Sequence, residues 1–182
     1  HMDGARLLNA AVAQNLPPAR LVKSIDTVSL CLSKGLGVPL GSVLVGPSSV
    51  IERARRLRKM LGGGMRQAGI IAAAGRHALQ HNVERLAQDH RRTQELATAL
   101  EGVQGLHFNR ARVQTNMLFL QSPQMPALAS YLAQQGIAIT AIGEHARIVL
   151  HMQIDDAALQ KITEAIQFFF TTSNMLQYAE QA

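Results

Sequence analysis

Apolar and polar residues alternate along residues 26–32, and a shorter apolar run covers residues 42–45, so both stretches read as β-strands. Between them Gly35, Gly37 and Gly41 break the pattern into a tight turn. Upstream, residues 3–15 read as a turn entering an alanine-rich helix, which Pro17-Pro18 breaks. After Gly46-Pro47 the period becomes helical. Residues 48–60 predict a helix capped by Ser48 or Ser49 and ended by Gly62-Gly63-Gly64. A longer helical pattern fills residues 67–100, and Gly69 and Gly75 predict either two helices or one with a kink.

The pattern changes near residue 104. Strands are expected over residues 113–120, 137–140 and 146–152, and helices over 125–135 and 155–170, the last capped by Asp155 or Asp156. That order, β-α-β-β-α, describes a compact two-layer α/β unit. The chain is therefore expected to divide into residues 1–103 and a smaller α/β domain over 104–182.

Hydrophobic residues form 47% of the 182, enough for a packed core, while no apolar run reaches the roughly 20 residues that span a bilayer. No secretory signal opens the chain, and the single cysteine, Cys31, excludes an internal disulfide. A cytoplasmic location with no membrane partner is the expectation. Cys31 lies in an apolar run and reads as a small core residue rather than a nucleophile.

The net charge of +6 concentrates in Arg53, Arg55, Arg56, Arg58 and Lys59. On a helix these cations spread around most of the circumference, and no aromatic run accompanies them, so a solvated helix or subunit contact is expected rather than a nucleic-acid partner. No zinc-ligand spacing occurs, and no metal is expected.

Lys34 stands where an apolar strand meets the glycine turn, a place where backbone can approach a bulky ligand and an amine can attack a carbonyl. Asp3 and Arg6 place a carboxylate and a guanidinium three residues apart beside a turn. Gly62-Gly63-Gly64-Met65-Arg66-Gln67 adds a cation on a glycine loop whose N–H groups offer an anion site at a helix start. An aspartate, a lysine and arginines are what pyridoxal phosphate requires. The lysine forms the imine, the carboxylate keeps the pyridine nitrogen protonated, and the cations neutralise phosphate and substrate carboxylate.

Three segments carry a family resemblance: residues 1–7 around Asp3-Gly4-Ala5-Arg6, residues 29–37 around Ser33-Lys34-Gly35, and residues 58–69 around Gly62-Gly63-Gly64-Met65-Arg66-Gln67. Together they resemble the low-specificity L-threonine aldolases, pyridoxal phosphate enzymes of the aspartate-aminotransferase fold (fold type I). A weaker similarity runs through residues 114–117 and 146–151, so it covers nearly the whole chain. The resemblance implies that Lys34 is the Schiff-base lysine and that Asp3 pairs with the pyridine nitrogen. It implies that Arg6 and Arg147 bind the substrate carboxylate. Arg66 is implied to reach the cofactor phosphate, across a subunit boundary. Lys59 matches a family lysine whose role stays open.

In that family the Asp-Gly-Ala-Arg motif lies near mid-chain, whereas here it opens the sequence. The chain thus looks like a carboxyl-terminal half: the end of a large-domain sheet with its helices, then the small domain. The resemblance implies cleavage of L-threonine or L-allo-threonine to glycine and acetaldehyde by a homodimer or homotetramer, with no turnover from this half alone. His145 and His151 read as structural rather than as the base. An aminotransferase-like enzyme of the same fold type, or a non-enzymatic basic domain binding nucleic acid, are the competing expectations.

Overall fold

The structure is a computed structural model that describes residues 1–180. It forms two compact units, residues 1–87 and 88–182. The first contains β1 (Met2–Asp3), α1 (Leu7–Gln14), α2 (Pro18–Leu21), β2 (Val28–Cys31), β3 (Ser42–Val45), α3 (Ser48–Met60) and α4 (Gly69–His81). α5 (Leu86–Leu100) starts at the boundary. The second unit continues with a 3-10 turn (Arg110–Arg112), β4 (Met117–Gln121), α6 (Met125–Gln134), β5 (Thr140–Ile142), β6 (His145–Val149) and α7 (Asp156–Glu180). The compact division precedes the change of sequence pattern near residue 104, because Leu96, Ala97 and Leu100 of α5 pack with the second core.

In the first unit the sheet order is β1-β2-β3, with β1 parallel and β3 antiparallel to β2. α1 ends at Asn15, whose φ of 51° closes the helix in the left-handed conformation. Pro18 then opens α2 within its first turn, where a missing N–H costs nothing. The core is small: Leu8, Leu32, Leu36, Val38, Ala78 and Leu86, backed by Val12, Leu30, Ala74 and Val83. All four residues of β3 are exposed, and α3 buries no side chain. α3 begins behind Pro47, and no side chain caps it, so the serine cap expected at Ser48 or Ser49 is not formed.

The second unit has the expected β-α-β-β-α order, with sheet order β4-β6-β5, all antiparallel. Leu118, Leu120, Ala146 and Ile148 face inward, and meet Leu128 and Leu132 of α6 and Ile162, Ile166 and Phe170 of α7 in one apolar cluster. Asp155 Oδ1 accepts the Ala158 N–H at 2.8 Å, so Asp155 is the cap of α7. The strand expected over residues 137–140 pairs only from Thr140 onward. Gly136, with φ 75°, ends α6, and residues 137–139 run unpaired before joining β5.

Candidate functional site

β1 and β2 are neighbours and parallel, with Asp3 opposite Ser29. Their carboxyl ends therefore lie at one edge of the sheet, the usual place for ligands in α/β structures. Asp3 closes β1 there. Its Oδ1 accepts the Ala5 N–H at 3.0 Å, which fixes the carboxylate and leaves Oδ2 without a partner among the described residues. The following Gly4 bonds through its N–H to the Ser29 carbonyl at 2.8 Å. A Cβ at Gly4 would stand 2.7 Å from Val28 Cγ1 and 3.0 Å from Ser29 O, so only glycine lets the chain turn this close to β2. Arg6, half-buried, follows at the start of α1.

Lys34 leaves the same end of β2. Its carbonyl accepts the Gly37 N–H at 2.8 Å, and Leu32 anchors the turn on both sides through Gly41 O at 3.0 Å and Val38 N at 3.1 Å. Leu32, Leu36 and Val38 are buried while Ser33 and Lys34 are exposed. The turn is thus held rigidly by its apolar residues and presents the amine outward. Gly37 and Gly41 adopt φ of 72° and 107°. Gly35 sits against the core: a Cβ there would meet Leu86 Cδ2 at 2.8 Å and Asn9 Oδ1 at 3.3 Å. Asn9 is buried beside this turn and escaped the sequence reading. A lone polar residue on the inward side of an alanine-rich helix is the signal that marks it.

The glycine triplet behaves differently from expectation. The Gly62 and Gly63 N–H groups bond back to the carbonyls of Lys59 and Arg58 at 3.2 and 2.8 Å, so they satisfy the end of α3 and do not face an anion. The cations there are side chains. A Cβ at Gly64 would lie 2.9 Å from Lys59 Nζ, which shows the Lys59 amine folded onto the loop. Arg66 is exposed on the same connection, before α4. α4 approaches the Lys34 turn at Ile71, 3.7 Å from where a Gly41 Cβ would stand.

Arg147 belongs to the second unit. It lies in β6 between the buried Ala146 and Ile148, so strand alternation turns it to the open face of the sheet, in one row with Phe119 and Thr140. Among the described residues its guanidinium has no ion-pair or hydrogen-bond partner. The register that sends it to that face is locked by Asn116, another residue the sequence reading left without a role. Asn116 O accepts the Leu150 N–H at 2.9 Å, and Asn116 Nδ2 donates to Leu150 O at 2.8 Å. A one-residue slip would turn Arg147 into the core. His145 is exposed in the next row, and His151 Nδ1 accepts the Gln153 N–H at 3.4 Å.

Asp3, Arg6 and Lys34 thus stand at or beyond the carboxyl ends of β1 and β2, Arg66 stands on the α3–α4 loop of the same unit, and Arg147 faces outward from the second sheet. Among the described residues no helix is long and apolar enough to cross a membrane, and no group of three metal-ligating side chains forms.

Residues 1–123 match the model of the beta-eliminating lyase family. A probable low-specificity L-threonine aldolase 2 of Arabidopsis thaliana is 41% identical over 176 residues, which are 93% of this chain and 50% of that protein. A low specificity L-threonine aldolase of Escherichia coli strain K12 is 41% identical over 164 residues, 89% of this chain and 48% of its own length. The chain spans about half the length of the curated relatives it matches. Its fold is shared with a putative L-allo-threonine aldolase from Listeria monocytogenes EGD-E, solved at 1.80 Å. The TM-score is 0.75 at 15% identity, over 92% of this chain and 51% of that one.

Proposed function

The chain belongs to the beta-eliminating lyase family, and from that premise we propose that it serves as the carboxyl-terminal part of a pyridoxal phosphate-dependent threonine aldolase. The observation that carries the reading is that Asp3 ends β1 and Lys34 follows β2, at the carboxyl ends of two paired parallel strands. The donor set fits the cofactor: a carboxylate oxygen and a primary amine, both without partners among the described residues, on rigid turns at one sheet edge. Bound there, pyridoxal phosphate supplies an electron sink for the pair released when the Cα–Cβ bond of a β-hydroxy-α-amino acid breaks.

The residues of this chain take the remaining parts. Lys34 Nζ would hold the cofactor. Asp3 Oδ2 would keep the ring nitrogen protonated, with Oδ1 held in place by the Ala5 N–H. Arg66 serves the phosphate. Arg6 in the first unit and Arg147 in the second are each assigned to a substrate carboxylate, which a guanidinium holds in two-pronged, charge-assisted bonds. The net reaction so proposed moves the threonine hydroxyl proton to Cα as Cα–Cβ breaks, giving acetaldehyde and glycine. Neither exposed His145 nor the backbone-bonded His151 is assigned as the base. A homo-oligomer of the full-length enzyme completes the site.

The experiment is borohydride reduction of the cofactor-loaded full-length enzyme followed by peptide mass mapping. A pyridoxyl adduct on Lys34 is expected. An adduct on another lysine, or none, overturns the assignment. Glycine and acetaldehyde from threonine distinguish this reading from an aminotransferase, which yields a keto acid. The 182-residue chain alone is expected to give no turnover.

A further inference from the structure

The second unit contains a cavity of which the proposed chemistry uses only Arg147, at its border. It opens where β5 parts from β6: the two strands pair only from Thr140↔Arg147 to Ile142↔His145, and residues 136–139 diverge from β6 beyond that point. The gap encloses about 450 Å³, with α7 as its floor. That volume suits a small molecule. Ile137, Ile139, Ile154 and Ile162, with Ala158, make its walls branched and apolar.

Its charge is of one sign. Arg147, His151 and Lys161 line the gap, and no acidic side chain does. Lys161 Nζ donates to the Gln135 carbonyl at 2.8 Å, which fixes the ammonium at the rim with two N–H groups to spare. His151 uses Nδ1 as an acceptor for the Gln153 N–H, so its proton resides on Nε2, a donor. Leu150 directs its N–H across to Asn116 on the β4 side. By strand alternation the Val149 N–H and carbonyl turn toward the side that β5 has left, adding a backbone donor.

We propose that this gap binds a short, branched aliphatic carboxylate: the isoleucine walls take the branched end, and Lys161, His151 and the Val149 N–H take the carboxylate. Its neighbour Arg147 connects it to the reading above, on which this consequence rests. An acid seated in the gap lies beside Arg147 and is expected to compete with the amino-acid substrate, raising KM in the full-length enzyme with kcat unchanged. Binding itself needs neither cofactor nor turnover.

The test is a titration of the 182-residue chain with 3-methylbutanoate, followed by amide NMR. Saturable one-to-one shifts at Thr140, Val149 and His151 are expected, with the isosteric alcohol 3-methylbutanol at least ten-fold weaker. Lys161→Gln is expected to weaken binding about five-fold or more, and Ala158→Phe, which fills the floor, to abolish it. Both variants are first checked for an otherwise unchanged spectrum. Non-saturable shifts, equal binding of the alcohol, or undiminished binding in both variants overturns the proposal. The Arg147 reading fails separately: it fails if Arg147→Ala leaves the substrate KM unchanged, whatever the titration gives.

Discussion

The two units differ in how completely they cover themselves. The second wraps seventeen buried apolar residues around one sheet. The cluster of the first holds six among the described residues, and β3 and α3 leave Val43, Leu44, Val45, Val50 and Leu57 all exposed. Charge divides the same way. Residues 1–87 carry twelve Lys and Arg against four Asp and Glu, whereas residues 88–182 carry six against eight. The unit that holds Asp3 and Lys34 is thus the one with open apolar faces and excess positive charge. The relatives have about twice this length. The function proposed above expects open surfaces on the unit that carries Asp3 and Lys34, and a closed domain in the other.

The comparison breaks most readily at Phe170. Its ring is 1% exposed and meets Phe169 edge-on at 5.2 Å. Phe170→Ala should cost about 3–5 kcal/mol in urea denaturation of the second unit. A loss below about 1 kcal/mol would mean that this core is no better packed than the first.

The next effect is a pH dependence peculiar to the second unit. Burial pushes the His90 imidazole below its ordinary pKa near 6.5, and the adjacent Asp89 carboxylate opposes that shift more weakly. The unfolded chain therefore takes up the proton more readily than the folded one. The contribution of neutral His90 is full above about pH 6.5 and is lost as pH falls from there toward the lowered folded value. The urea midpoint of the second unit should decline across that interval, and His90→Gln should flatten the decline. An unchanged slope in the variant would assign the acid sensitivity elsewhere.

Much of this architecture is legible in the residues, and the exceptions share a cause. Residues 42–45 form the strand their short apolar run predicts, and Ala146 and Ile148 flanking Arg147 are enough to place it on an open face. Periodicity reports which side of an element is apolar. It does not report where a backbone N–H goes. Hence the Gly62-Gly63-Gly64 loop, which reads as an anion cradle, instead closes α3 on its own carbonyls. Hence also the strand expected at 137–140 is displaced, because a backbone leaving Gly136 at φ 75° diverges before it pairs. That Asp3 and Lys34 follow the same ends of neighbouring strands depends on β1 pairing with β2 across 26 residues, a register that no local pattern encodes.

The smallest effect sharpens the comparison furthest. Leu57 lies on the apolar side of α3 and is 44% exposed, so in this chain its side chain gains little by folding. Leu57→Ala should shift the stability of the 182-residue chain by no more than about 0.5 kcal/mol, as for an ordinary surface position. In the full-length enzyme the same change should cost about 2–5 kcal/mol if the α3 face is covered there, because burial restores both the transfer and the cavity penalties. Equal, small losses in both forms would show that α3 faces solvent throughout. The openness of the first unit would then be a property of the enzyme's surface, and the contrast with the second unit would concern charge alone.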